Sequence, residues 1–140
     1  MKIYKANKID ISEIQTIFSA FLKAGKIFGM YKDYYYIESN IIKNRCFIIK
    51  ENNKIIGAMC IKPMRINCEI ETLAIDKNNR GNGAGRKLVD YAIKFCKLNN
   101  FKNLRVYSHK KLKVKDFYLK CGFKELNCNH NCYKFEKKIS

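Results

Sequence analysis

The sequence predicts an α/β fold, a mixed central sheet with helices on both faces. Three observations predict it. Strand-like and helix-like segments follow one another in the order β-α-α-β-β-β-α-β-α-β-β. Near the middle, a glycine-rich turn joins a buried strand to an amphipathic helix, and another strand follows. That is a β–α–β crossover, which makes its two strands parallel. The helical segments carry their apolar residues on one face, and such a face needs a layer to pack against.

Taken in order, residues 2–6 alternate weakly and suit a first strand. Residues 11–22 place apolar side chains at 11, 14, 17, 18, 21 and 22, one face of a helix. Asp10 or Ser12 can cap it, and Gly25 or Gly29 can end it. Residues 34–42 suit a second helix. Residues 45–50 and 54–62 read as two strands around an Asn52-Asn53 turn, the second ended or interrupted by Pro63. Residues 68–75 form the strand before the glycine turn, and residues 86–97 the helix after it. Residues 104–107 are the returning strand. Residues 112–121 form a short helix stopped by Gly122. Residues 123–126 and 132–135 close the chain as a hairpin.

With 140 residues and no Pro- or Gly-rich linker, one domain over residues 1–140 is expected. Hydrophobic content of 47% and aromatic content of 13% exclude disorder. No stretch has the apolar length of a membrane span or the core of a signal peptide. The formal net charge is +17. An anionic partner such as nucleic acid or a ribosome accounts for it, and so does a Lys-rich composition with solvated lysines on every face. The lysines are scattered and form no block, which favours composition. Seven cysteines, an odd number set mostly in apolar segments, suit reduced thiols in the cytoplasm. Cys128-Asn129-His130-Asn131-Cys132 holds zinc-type donors, but a four-ligand site lacks its fourth donor. The asparagines there suit a hairpin turn, and no metal is expected.

The chemistry centres on Arg80-Gly81-Asn82-Gly83-Ala84-Gly85. Unsatisfied N–H groups and the dipole of a helix start attract anions. Glycines remove the Cβ atoms that keep a phosphate off the backbone. Arg80 and Arg86 add full charges. A P-loop needs a Lys-Ser/Thr pair after its last glycine, yet Arg86, Lys87 and Leu88 follow. A dinucleotide fingerprint needs a third glycine where Arg86 stands, and a carboxylate near residues 101–103 that is absent. The remaining pattern, Arg-x-x-Gly-x-Gly on a strand-to-helix turn, resembles the acetyl-CoA pyrophosphate loop of the GNAT superfamily of N-acetyltransferases. A second stretch, Tyr118-Leu119-Lys120-Cys121-Gly122-Phe123, matches the family's Y-x-x-x-G-F signature at the family's distance. The likeness covers roughly residues 45–135 by motif and spacing, and the N-terminal helices by element order.

The resemblance implies a GNAT-type acyl-CoA N-acyltransferase fold and acetyl-CoA as co-substrate. It sets Leu73, Ala74 and Ile75 where the family's bent strand pairs with pantetheine. It sets Gly81, Asn82, Gly83, Ala84, Gly85 and Arg86 on the pyrophosphate loop, with Arg80 at its start. Tyr118 falls on the tyrosine that protonates the leaving thiolate. The family's CoA-contacting Asn, seven residues earlier, is replaced by Lys111, beside Lys110 and His109. A basic residue there can instead meet the cofactor's 3′-phosphate.

Attack by a neutral amine needs a proton acceptor, and Glu69 and Glu71 alternate onto one face of the strand leading to the site. Simple solvation of that face explains them equally. The run Tyr31-Lys32-Asp33-Tyr34-Tyr35-Tyr36 lies where the family walls its acceptor site, and it also reads as a core edge. The expected function is therefore acetyl transfer to a primary amine. The competing classes are a nucleic-acid- or ribosome-binding protein on the same fold and a CoA-binding sensor without catalysis. The charge points to an acceptor with negative charge near its amine or within a larger anionic partner. A free sheet edge offers a route to a homodimer.

Overall fold

The computed structural model describes every residue except Cys128, so the cysteine that opens the candidate zinc cluster lies outside the described residues. The elements follow the expected order: β1 (Lys2–Lys5), α1 (Ile11–Phe18), α2 (Tyr34–Ile42), β2 (Cys46–Glu51), β3 (Lys54–Met64), β4 (Asn67–Ile75), α3 (Ala84–Leu98), β5 (Asn103–His109), α4 (Lys115–Lys120), β6 (Lys124–Leu126) and β7 (Cys132–Lys138). The strands form a mixed sheet of order β1-β2-β3-β4-β5-β7-β6. The chain divides into two compact units. One holds Met1–Cys60 and Thr72–Leu88, the other Ile61–Glu71 and Val89–Ser140.

In the first unit β1 pairs antiparallel with β2, and β2 with β3. Asn52 and Asn53 take φ of 52° and 62°, the left-handed pair that a two-residue hairpin turn requires. α1 buries Ile14 and Phe18 completely, and α2 does the same with Ile37. Asp33 caps α2, its carboxylate accepting from the Tyr35 N–H at 3.0 Å and the Tyr36 N–H at 3.3 Å. Asp10 stands before α1 but accepts from the Asn7 N–H at 2.8 Å instead. The first helix is shorter than its periodicity predicts. After Phe18 the chain tightens to 3-10 geometry over Ser19–Ala24 and stops at Gly25, where φ is 138°. The Ser19 hydroxyl donates to the Thr16 carbonyl at this point, a local bond that competes with the α-helical ladder.

In the second unit β4 and β5 are parallel, from Asn67↔Asn103 to Ile70↔Val106, as a crossover through α3 demands. β7 pairs antiparallel with β5 along its whole length and with β6 on its other side. Leu104, Val106, Phe123 and Phe135 form the core, with Tyr118 among them. Two expectations are corrected. Residues 110–112 form a separate 3-10 turn, and Lys113 at φ 55° breaks the chain before α4 begins at Lys115. β3 runs through Pro63 to Met64, since a missing N–H near a strand end removes little of the ladder.

Candidate active site

β4 alternates strictly, with Cys68, Ile70, Thr72 and Ala74 buried and Glu69, Glu71, Leu73 and Ile75 half-buried on the other face. The parallel ladder to β5 ends at Ile70, while β4 continues to Ile75. In the first unit, Thr72–Ile75 keeps β3 at its side, and the Asp76 N–H donates to the Ile56 carbonyl at 2.8 Å. Gly57 makes this approach possible. A Cβ there would lie 2.5 Å from Ile75 Cδ1 and 3.2 Å from the Ala74 carbonyl oxygen. Sequence reasoning missed Gly57, although a glycine inside an apolar strand is the usual sign of close backbone approach. It also missed Thr72, 1% exposed, whose hydroxyl lies 3.4 Å from the Tyr36 hydroxyl.

The glycine turn follows directly. Asp76 opens a short 3-10 turn, its carboxylate accepting from the Asn79 amide at 2.9 Å. Arg80 Nε donates to the Ile75 carbonyl at 3.3 Å, tying the turn to the end of β4. Gly81 and Gly83 take φ of 83° and 88°, and beyond each glycine and its chain neighbours no atom lies within 4 Å of where either Cβ would stand. Their requirement is therefore backbone conformation plus open space in front. Asn82 accepts from the Ala84 N–H at 3.3 Å, and α3 starts at Ala84. Leu73, Ala74, Ile75 and Arg80 through Arg86 thus belong to one unit and form one continuous strand–turn–helix surface. A helix start at the end of such a turn suits an anion.

Glu69, Glu71, Lys111 and Tyr118 belong to the other unit. The Glu69 carboxyl is pushed above its ordinary pKa by burial and by Glu71 beside it, with Lys62 pulling the other way. It lines a cleft of about 780 Å³ together with Met64, Arg65, Ile66, Arg105 and Tyr107. Glu71 is held by Lys62. Lys111 is exposed on the 3-10 turn, its N–H donating to His109 Nδ1 at 3.1 Å. Tyr118 is 4% exposed, against Phe117, Phe123 and Phe135 at ring separations of 4.9, 5.6 and 5.3 Å. Burial pushes its phenol well above the ordinary pKa, so the hydroxyl keeps its proton at neutral pH. The tyrosine run divides. Tyr31 and Tyr36 join an aromatic cluster with Phe21 and Phe28, whereas Tyr34 and Tyr35 are exposed. Among the described residues no group of three or more His, Cys, Asp or Glu could hold a metal ion. No helix among them is long and apolar enough to cross a membrane.

Known proteins share this architecture. The PaiA N-acetyltransferase from Thermoplasma acidophilum, solved in complex with coenzyme A, is similar at a TM-score of 0.85 and 19% identity, covering 98% of each chain. A GNAT-family acetyltransferase from Staphylococcus aureus Mu50 is similar at 0.82 and 18% identity, covering 99% of each. N-acetylglutamate synthase from Neisseria gonorrhoeae, complexed with coenzyme A and N-acetyl-glutamate, is similar at 0.83 and 16% identity, over 99% of this chain and 35% of that one. No curated protein matches the chain in sequence. The model of the Acetyltransferase (GNAT) family matches residues 12–123, most of the chain, and so the protein belongs to the GNAT family of acetyltransferases.

Proposed function

We propose that the protein is an acetyl-CoA-dependent N-acetyltransferase, one catalytic domain over residues 1–140, that acetylates a primary amine by direct attack on the thioester. The observation that carries this reading is the turn between β4 and α3. Gly81 and Gly83 hold left-handed backbone with open space in front of them, at a helix start, between Arg80 and Arg86. A pyrophosphate fits such a surface. Coenzyme A in the similar Thermoplasma and Neisseria structures supports the assignment. The backbone of Leu73–Ile75 then pairs with the pantetheine arm, and Lys111 meets the 3′-phosphate.

The chemistry follows from the residues. The amine nitrogen attacks the thioester carbonyl carbon, and a backbone N–H of β4 stabilises the oxyanion. The C–S bond breaks, and the thiolate takes a proton from the Tyr118 hydroxyl. The surplus proton on nitrogen passes, directly or through water, to Glu69. Glu69 is preferred over Glu71 because it lines the cleft, while Glu71 is engaged by Lys62. The test is acetyl-CoA turnover with a panel of amines, reading thiol release and acetylated product together. A folded protein that binds CoA yet transfers acetyl to no amine would be a CoA-binding protein without this activity.

A further inference from the structure

The cleft beside Glu69 carries an uneven set of charges. At about 780 Å³ it has the size of a small-molecule site. Its walls include Met64, Ile66 and Tyr107, which are 48%, 55% and 46% exposed, an apolar lining open to solvent. Of its two arginines, Arg105 is balanced, with Nε 2.7 Å from Glu136 Oε2. Arg65 makes no ion pair among the described residues.

Arg65 also stands where arginine is a poor choice. It occupies the tight turn between β3 and β4 with φ of 57°. Among the described residues, four of the six non-glycine residues with positive φ are asparagine, which tolerates that conformation. Glycine or asparagine would hold the turn with less strain, so the guanidinium is there despite the backbone. Strain of this kind collects at ligand sites. Arg65 and Glu69 are four residues apart, at most about 13 Å at strand spacing. The two unlike charges therefore line one apolar cleft within about 13 Å of each other.

We infer that the cleft takes an acceptor that carries a primary amine and an anionic group on an apolar body, with Arg65 receiving the anion and Glu69 the amine. This rests on the acetyltransferase reading and names its substrate class. A polyamine puts a second ammonium beside Arg65, with Glu71 already engaged by Lys62.

Three matched probes test it: 4-(aminomethyl)benzoate, 4-methylbenzylamine and p-xylylenediamine, whose far ends are anionic, neutral and cationic. Binding to the CoA-loaded protein is measured by calorimetry, and acetyl transfer is followed beside it. The variants are Arg65→Gly and Arg65→Asn, both suited to the turn. The benzoate is expected to bind the wild type about tenfold more tightly than the methyl compound, as a charge-assisted contact allows. The diamine should bind least. In both variants the preference should vanish while affinity for the methyl compound holds. Equal binding of all three probes, or a preference that survives both variants, overturns the inference. Selective binding of the benzoate with no acetylated product supports the anion site and overturns transfer instead. Equal transfer to all three leaves the acetyltransferase standing and removes the anion site.

Discussion

The Lys62 ammonium lies 3.8 Å from the Glu71 carboxylate, and this pair flanks Glu69 on the same face of the sheet. An ion pair this exposed adds little stability. Its consequence is electrostatic. Glu69 is raised by burial first and by Glu71 second, and Lys62 opposes both.

A base must be deprotonated to act, so kcat/KM should rise with pH through the Glu69 pKa. Lys62→Met removes the opposing cation and should move that limb to higher pH. Glu71→Gln removes the like charge and should move it to lower pH. Rate profiles of the two variants are expected to shift in opposite directions, and superimposable profiles would exclude Glu69 as the base. Stability carries a matching sign. The folded state holds the Glu69 proton more tightly than the unfolded chain. The wild type therefore loses stability as pH rises from the ordinary carboxylate range through the raised folded pKa. Glu69→Gln should flatten this part of the curve in urea unfolding.

Gly83→Val imposes a β-branched side chain on a φ of 88°. The strain should cost about 1–2 kcal/mol of stability. The new side chain also fills the open space in front of the turn. CoA affinity measured by calorimetry should fall by roughly tenfold or more, since each 1.4 kcal/mol is a factor of ten. Unchanged affinity in a folded variant removes the pyrophosphate from this turn.

Gly57→Ala puts a methyl group 2.5 Å from Ile75 Cδ1 and 3.0 Å from Ile49 Cγ2. Overpacking of this kind costs about 1–3 kcal/mol. Ile75→Val deletes the closest atom. The double variant should therefore be more stable than the sum of the single effects, a coupling read directly from denaturant midpoints. Additive losses would mean that Ile49 or the Ala74 carbonyl, not the Ile75 side chain, is the obstacle.

Tyr118→Phe keeps the ring that packs against Phe117, Phe123 and Phe135 and deletes only the hydroxyl. CoA affinity and Tm should stay near wild type, while kcat falls by about 10²–10⁴-fold, the usual loss of a general acid. A folded variant with wild-type kcat, where chemistry limits turnover, shows that the thiolate is protonated by another group.

Much of this architecture is legible before folding is considered. Asn52-Asn53, Gly81, Gly83 and Gly122 announce turns because few other residues tolerate positive φ, and β4 shows its two faces through alternation. The boundaries were less legible. The early end of α1 depends on a serine hydroxyl bonding backward, and the break at Lys113 follows no residue preference. Neither Arg65 in a left-handed turn nor the Tyr36–Thr72 contact has a local signature. The Tyr36–Thr72 contact exists only because distant parts of the chain meet there. Gly57 is intermediate, visible as an oddity but explained only by Ile75 and Ala74 opposite it.

The end of the β4–β5 ladder at Ile70 bears on how the protein behaves in a tube. A strand edge without a partner is a template for pairing with another chain. A ligand that hydrogen-bonds along Leu73–Ile75 occupies that template. It also stabilises the folded form by mass action. On the proposed reading, coenzyme A is expected to protect against aggregation as well as to carry the acetyl group, which light scattering with and without the ligand checks. The ligand-free protein is the form to precipitate first on concentration, and the nucleotide belongs in its storage buffer.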